Sequence, residues 1–221
     1  QRGVEDRRLA LLDHEAARAQ VPIIGINRGS LGFLTTFSAE EARTQFTSLL
    51  RGQFKIAHRS LLSCTTGKNH HDIALNDVLI KDPFNSRLAR LEVYANDQLV
   101  TEYTCDGLIF STPTGSTAYS ISAGGPILMP DCGCFVITPI CPHVLSIRSV
   151  VMSDASVIKM QVAKPGQTVT VSVDSQSCGQ LGIGDLLVLK KSPRVLPLAM
   201  LPERPFTEVI RQKLKWTGSN I

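Results

Sequence analysis

The chain has 221 residues, 23 Lys or Arg against 19 Asp or Glu, a formal net charge of +4 and 43% hydrophobic residues. That length suits one large domain or two small ones with a proper core, and so small and scattered a charge excludes a nucleic-acid or membrane-surface protein. No apolar run reaches the roughly 18 residues of a membrane helix and no charged-then-apolar leader opens the sequence.

Arg7 to Gln20 is charged and alanine-rich, and Leu9, Leu12, Ala16 and Ala19 fall on one helix face. Val21 to Ile26 follows as an apolar run of strand length, which predicts a buried parallel strand. Helix and strand make one unit of an α/β layer, and one unit cannot cover both faces of its strand. The N-terminal region is therefore expected to be a partial, Rossmann-like layer whose other strands lie outside this sequence. Gln1, in place of methionine, agrees with a missing N-terminus. Asn27 to Phe33 leaves the strand at the end that faces the ligand crevice in open α/β sheets. Phe33 is either a core plug beside a glycine turn or a ligand contact. Ser38, with Glu41 three residues on, is a capping-box pattern and predicts a helix to about Arg51 that stops at Gly52.

From Lys55 the texture changes to short β-rich runs: Arg59 to Thr65, His71 to Ile80, Leu88 to Tyr94, Gln98 to Tyr103, Phe135 to Pro139, Val157 to Val162, Thr168 to Val173 and Asp185 to Lys190. Turn residues such as Gly67-Lys68-Asn69, Ala95-Asn96-Asp97 and Lys164-Pro165-Gly166 separate them, as in a β-sandwich. Thr168 to Val173 alternates valines with hydroxyls, the signature of a half-exposed strand. After Pro205 the helical period returns, with Phe206, Val209, Ile210 and Leu214 on one face. The expected division is 1–52 for the α/β remnant, 53–200 for the sandwich and 201–221 for the C-terminal helix.

One stretch in the sandwich carries chemistry: DGLIFSTPTGSTAYSISAGGPI, Asp106 to Ile127. An acidic turn leads into a short strand, Leu108 to Phe110. A hydroxyl-rich loop, Thr112 to Thr117, then enters a short helix that Gly124-Gly125-Pro126 stops. Such a loop can cradle a ligand: the first helical N–H groups point outward and Gly115 permits close backbone approach. It has no P-loop lysine and no GxGxxG. Serine and threonine hydroxyls suit sugar hydroxyls and amides; a polar connecting loop is the alternative. Upstream, Asn76-Asp77 interrupts an apolar strand with two polar side chains, a pattern made either by a backbone-bonded bulge or by a ligand pair. The strand resumes at once with Val78, which favours the ligand role. The six cysteines are irregularly spaced and Cys132-Gly133-Cys134 lacks a second pair, so buried free thiols of a reduced cytoplasm are expected rather than a zinc site.

This stretch resembles the signature of the NAD kinase family. Further blocks are similar in order: Gly25 to Thr35, Ala74 to Ile80, Thr138 to His143, Val173 to Gln176 and the closing Phe206 to Trp216. The resemblance implies an α/β plus all-β fold, with the C-terminal helix packing back on the α/β part. It also implies transfer of the γ-phosphoryl of ATP or polyphosphate to the adenosine ribose 2′-hydroxyl of NAD, giving NADP, with Mg²⁺ carried largely by the donor's phosphates. Asn76 and Asp77 are then expected to hold the adenosine half, Asp77 accepting from ribose hydroxyls. Asp106 becomes the family's nucleotide-binding aspartate. Thr117, Ala118, Tyr119 and Ser122 line the NAD pocket, Asp174 and Gln176 sit at its nicotinamide end, Arg87 adds a contact and Phe33 packs beside the nucleotide. His143 and Arg148 fall in a family-like block without an assigned role, and no residue is assigned to a metal. A homodimer or homotetramer in the cytoplasm is expected.

One departure stands out. NAD kinases carry a Gly-Gly-Asp-Gly tetrad one helix upstream of the strand ending at Asn27, and here the comparable place holds Val4-Glu5-Asp6-Arg7. Asp6 is the one aspartate there, and the catalytic residue is left unassigned. Either the tetrad lies in residues outside this chain or the sequence joins across a missing loop. The two other readings are a catalytically silent NAD(P)-binding module and a lipid kinase of the diacylglycerol-kinase type.

Overall fold

The computed structural model describes residues 15–27, 32–35, 37–67, 70–83, 88–200 and 205–216. They form two compact units, one built from 15–59 with 195–216 and the other from 60–194.

In the first unit, residues 15–19 are helical (α1) and a two-residue strand β1 (Ile26–Asn27) pairs in parallel with β2 (Phe37–Ser38). Ile23 bridges Leu198 in parallel: its N–H donates to the Pro197 carbonyl at 2.9 Å, and Ala199 N–H donates back at 2.8 Å. The run from Val21 to Ile26 is thus a broken strand rather than a buried one, with Val21 55% and Ile26 49% exposed. Pro22 has no N–H to extend the ladder, and each side of the run finds a partner for only part of its length. The capping box forms as its sequence predicts: Ser38 Oγ accepts from Glu41 N–H at 3.1 Å and Glu41 Oε2 from Ser38 N–H at 2.7 Å. The helix it starts is shorter than expected. It breaks at Gln45 into α2 (Ala39–Thr44) and α3 (Phe46–Leu50), where the Thr44 hydroxyl bonds back to the carbonyls of Glu40 and Glu41. The C-terminal helix α5 (Phe206–Leu214) buries Val209 and Ile210, and the Phe206 ring meets Phe33 at a centroid distance of 5.8 Å. Phe37, Ala42, Leu49 and Ala199, with Ile24 and Phe54 against them, form this unit's core.

The second unit is a sandwich of two six-stranded sheets, as the recurrent short strands predict. One has the order β10 (Val150–Ser153), β9 (Cys134–Ile140), β8 (Gly107–Ser111), β5 (Asp77–Lys81), β12 (Val169–Val173), β13 (Gln176–Leu181). The other runs β4 (His70–Ala74), β3 (Lys55–Thr66), β14 (Leu186–Met200), β11 (Ile158–Val162), β6 (Ala89–Ala95), β7 (Gln98–Cys105). Val78, Ile80 and Val171 from the first sheet share one core with Leu91, Val93, Met160 and Leu189 from the second. On β12 the valines are buried while Thr170 and Ser172 are not, because successive side chains of a strand alternate faces. The run His71 to Ile80, which reads as one strand in sequence, is two strands in different sheets. The cysteines also differ from expectation: only Cys64 and Cys105 are buried, Cys141 is exposed and Cys132, Cys134 and Cys178 are half-buried. Cys132 lies in the turn before β9 and Cys141 follows its end at φ 44, places where the chain has left the core. Among the described residues no helix is long and apolar enough to cross a membrane.

Candidate functional site

The site is built where the chain changes sheet. β4 ends at Ala74 and β5 begins at Asp77, so Leu75 and Asn76 carry the crossing. A crossing strips backbone N–H groups of ladder partners, and each must find another. Here one carboxylate serves three of them. Asp174 Oδ2 accepts from Leu75 N–H at 2.7 Å, and its Oδ1 accepts from Asn76 N–H at 2.8 Å and Asp77 N–H at 3.0 Å. Asp174 and Ser175, at φ 45 and 66, are the two central residues of the β12–β13 hairpin turn, the type I′ geometry that short polar side chains tolerate. Asp174 N–H returns a bond to the Asp77 carbonyl at 3.0 Å.

The hydroxyl loop docks on the same crossing. Thr112 N–H donates to the Asn76 carbonyl at 2.9 Å, and the Thr112 hydroxyl donates to the Leu75 carbonyl. Gly115 lies against Asn76 so closely that a Cβ there would stand 2.0 Å from the Asn76 oxygen. The glycine admits Asn76 backbone, then, and not a ligand as the sequence suggested. Most of the loop's hydroxyls are likewise engaged inside the protein. Ser116 Oγ donates to the Pro113 carbonyl at 2.7 Å and accepts from Leu128 N–H at 3.0 Å, and Thr117 Oγ1 donates to the Thr114 carbonyl at 3.0 Å. Ser120 Oγ and Thr138 Oγ1 share a buried bond of 2.9 Å, which ties the helix α4 (Tyr119–Ser122) to β9. What the loop turns outward is Ala118, Tyr119, which is 45% exposed, and Ser122, with Thr117 half-buried beside them.

Asn76, Asp77 and Asp174 are therefore brought together with Thr112 and Gly115, and the stretch Thr117 to Ser122 continues directly from that docked part of the loop. Asp77 is buried, and burial together with the neighbouring Asp174 carboxylate pushes its own carboxyl up from 3.8 to about 7. Gln176 lies just past the turn at Asp174, half-buried, with its side-chain nitrogen buried and without a hydrogen-bond partner among the described residues. Asp106 is not part of this gathering. Gly107 pairs with Lys81 and Ser111 with Asp77, so Asp106 lies beyond the opposite end of β8, exposed and about 20 Å from Thr112 at the usual strand rise. Phe33 belongs to the other unit, against Phe206. His143 and Arg148 sit on an exposed loop, where the Arg148 guanidinium bonds the carbonyls of Leu145 and Ile147. Arg87 and Asp6 lie outside the described residues. Sequence reasoning missed the anchoring work of Thr112, Ser116, Ser120 and Thr138, whose signal was only the density of hydroxyls.

The chain is thus an α/β plus all-β protein whose sandwich presents a buried carboxylate and an anchored hydroxyl loop. Residues 11–54 match the ATP-NAD kinase N-terminal domain and residues 75–201 the ATP-NAD kinase C-terminal domain. An NAD kinase of Caldanaerobacter subterraneus subsp. tengcongensis is 39% identical over 197 residues, covering 87% of this chain and 70% of that protein. One of Syntrophotalea carbinolica is 36% identical over 215 residues, covering 96% and 75%. Among solved structures, yeast NADH kinase complexed with NADH superposes with a TM-score of 0.83 at 28% identity, covering 90% of this chain and 61% of that one. An NAD kinase from Archaeoglobus fulgidus in complex with ATP gives 0.74 at 25% identity, covering 89% and 75%. The chain belongs to the NAD kinase family. That membership sets aside the lipid-kinase reading.

Proposed function

We propose that this chain performs the family's phosphoryl transfer, from ATP or polyphosphate to the 2′-hydroxyl of the adenosine ribose of NAD, giving NADP. The observation that carries the reading is the junction of Asn76-Asp77 with the loop, where a buried carboxylate follows the residue on which Thr112 and Gly115 dock. In this reading Asn76 and Asp77 hold the adenosine ribose, with Asp77 accepting from its hydroxyls and so orienting the attacking oxygen. Thr117, Ala118, Tyr119 and Ser122 line the pocket. Asp174 is a positioning residue, since its carboxylate is committed to three backbone N–H groups. Gln176 has a buried donor to offer a ligand amide. Arg87 is a further contact. Asp106 meets the dinucleotide held by a neighbouring copy in a homodimer or homotetramer, a role its distance from Thr112 favours.

Bound Mg²⁺ would neutralise charge on the donor phosphates. Such a metal would be held largely by the donor's phosphate oxygens, and no residue of this chain is assigned to it. Six free thiols suit a reducing, cytoplasmic compartment.

Calorimetric titration of NAD into the parent chain, Asn76→Ala and Asp77→Asn tests the assignment. A charge-assisted bond is worth about 1.5–3 kcal/mol and a neutral one about 0.5–1.5 kcal/mol, so Asp77→Asn should bind about one to two decades more weakly and Asn76→Ala up to about one decade. Parent-like affinity in both, with folding intact by circular dichroism, would overturn the pocket. NADP formation with ATP and Mg²⁺ is the second readout.

A further inference from the structure

Two cysteines that the site leaves unused stand together at the entrance to β9. Cys132 and Cys134 flank Gly133, and both are half-buried. Cys132 precedes β9 and the chain bends at Gly133, and across that bend the Cys132 and Cys134 side chains come within hydrogen-bonding reach of each other. Burial raises the Cys134 thiol above its ordinary value, and the adjacent Cys132 sulfur raises it further by charge and by a hydrogen bond. The backbone around the pair is fixed at three points. Cys132 N–H donates to the Met129 carbonyl at 3.0 Å, the Gly133 carbonyl accepts from Asp154 N–H at 3.1 Å, and Cys134 pairs with Ser153 of β10. Gly133 itself is exposed, so no side chain covers the turn between the sulfurs. Asp154, which borders this turn, is held by Lys191 Nζ at 2.6 Å.

We propose that Cys132 and Cys134 are an oxidation site, a vicinal dithiol that hydrogen peroxide closes to an intrachain disulfide. The Cys132 sulfur attacks the peroxide and the O–O bond breaks. One oxygen stays on sulfur as sulfenic acid, and the other leaves as water with the thiol proton. The Cys134 sulfur then attacks the Cys132 sulfur. An S–S bond forms, the S–O bond breaks, and the hydroxyl leaves as a second water with the Cys134 proton. Two thiols lose two electrons and two protons, and the peroxide is reduced to water. Cys132 goes first because burial and its neighbours disfavour the thiolate of Cys134. The ring closed across one glycine is tight, and tight, accessible disulfides are the readily reduced ones, so the step is reversible. It forms on the connector between the hydroxyl loop and β9, four residues after Leu128, whose N–H holds Ser116.

The other cysteines give the contrast. Burial pushes Cys64, Cys105 and Cys178 up to about 12, and Cys141 is exposed, near buried Cys105. The experiment treats the full chain with graded hydrogen peroxide, alkylates the remaining thiols, reduces, alkylates with a second reagent and locates both labels by peptide mass spectrometry. The expected result is joint loss of the first label at Cys132 and Cys134 before any other cysteine reacts, restored by dithiothreitol and unchanged in Cys141→Ser. In Cys134→Ser, dimedone should trap a sulfenic acid at Cys132. First label retained at both positions while Cys141 oxidises would overturn the proposal, as would a bond linking Cys105 to Cys141. The parent-chain labelling decides the matter even if Cys134→Ser fails to fold.

Discussion

Asp174 offers the sharpest test of how the site is built. Replacing it with glycine removes the carboxylate while keeping a backbone that accepts φ 45. Three N–H groups, those of Leu75, Asn76 and Asp77, then lose their acceptor. A hydrogen bond to a charged group contributes about 1.5–3 kcal/mol, but Asp174 is half-exposed and water can reach part of the gap, so about 1 kcal/mol per donor is the better figure. The three together come to about 3 kcal/mol, plus up to about 1 kcal/mol from the freer unfolded chain. Asp174→Asn keeps an oxygen for Asn76 and Asp77 and turns its amide against Leu75 N–H, which should cost about 1–2 kcal/mol. Urea unfolding followed by circular dichroism measures both, with the m-value as the check on two-state behaviour. A glycine variant within about 0.5 kcal/mol of the parent, or an asparagine variant costlier than the glycine one, would refute the capping argument.

Gly115→Ala places a Cβ 2.0 Å from the Asn76 oxygen, and backbone cannot yield as a side chain tip would. Overpacking of this kind costs about 1–3 kcal/mol, and NAD affinity should fall because Asn76 and the loop must separate; an unchanged melting curve and affinity would contradict the docking. Asp77, at about 7 when folded against 3.8 ordinarily, keeps its proton between those values while the unfolded chain has lost its own. Its contribution to stability is therefore present in full below about pH 4 and is lost as pH rises to about 7; at about 1.4 kcal/mol per pH unit the window is worth on the order of 4 kcal/mol. Stability profiles of parent and Asp77→Asn should diverge across that window, and parallel profiles would deny Asp77 the role. NAD affinity should rise with pH through 7 as the accepting carboxylate ionises, and a flat parent profile would remove Asp77 from ribose binding. Light scattering should give a dimer or tetramer mass at micromolar concentration, and a monomer would remove the basis for Asp106 acting across copies.

Local signals in the sequence translated well into local structure. The alternation of Thr168 to Val173 became β12, and the Ser38–Glu41 pattern became a capping box with both bonds in place. The change of sheet between Ala74 and Asp77 was not legible, because Leu75 is as apolar as the strands it joins and composition does not register direction. The length of β14 was hidden as well: the β-rich run ends at Lys190 in the sequence, yet the strand continues through Pro193 and Pro197 to fifteen residues. In the site, Asp174 could be read as a turn residue, but its acceptor role depends on Leu75, Asn76 and Asp77, 97 to 99 positions away. The hydroxyls of the loop were visible as chemistry. Their partners were not, since a hydroxyl shows no preference between ligand and backbone until the fold supplies one.

The bonds from Asp174 to the β4–β5 crossing also bear on how this protein is made. Strands adjacent in sequence go to opposite layers there, so neither layer can mature alone, and the crossing stays uncapped until the β12–β13 hairpin, synthesised much later, arrives. Contacts of such long sequence separation form late and slowly. On the proposed assignment, a chain caught part-way would have its strands but no place for NAD. Bound NAD would therefore report completed folding, and by mass action would favour finished molecules over partly assembled ones wherever the dinucleotide is abundant.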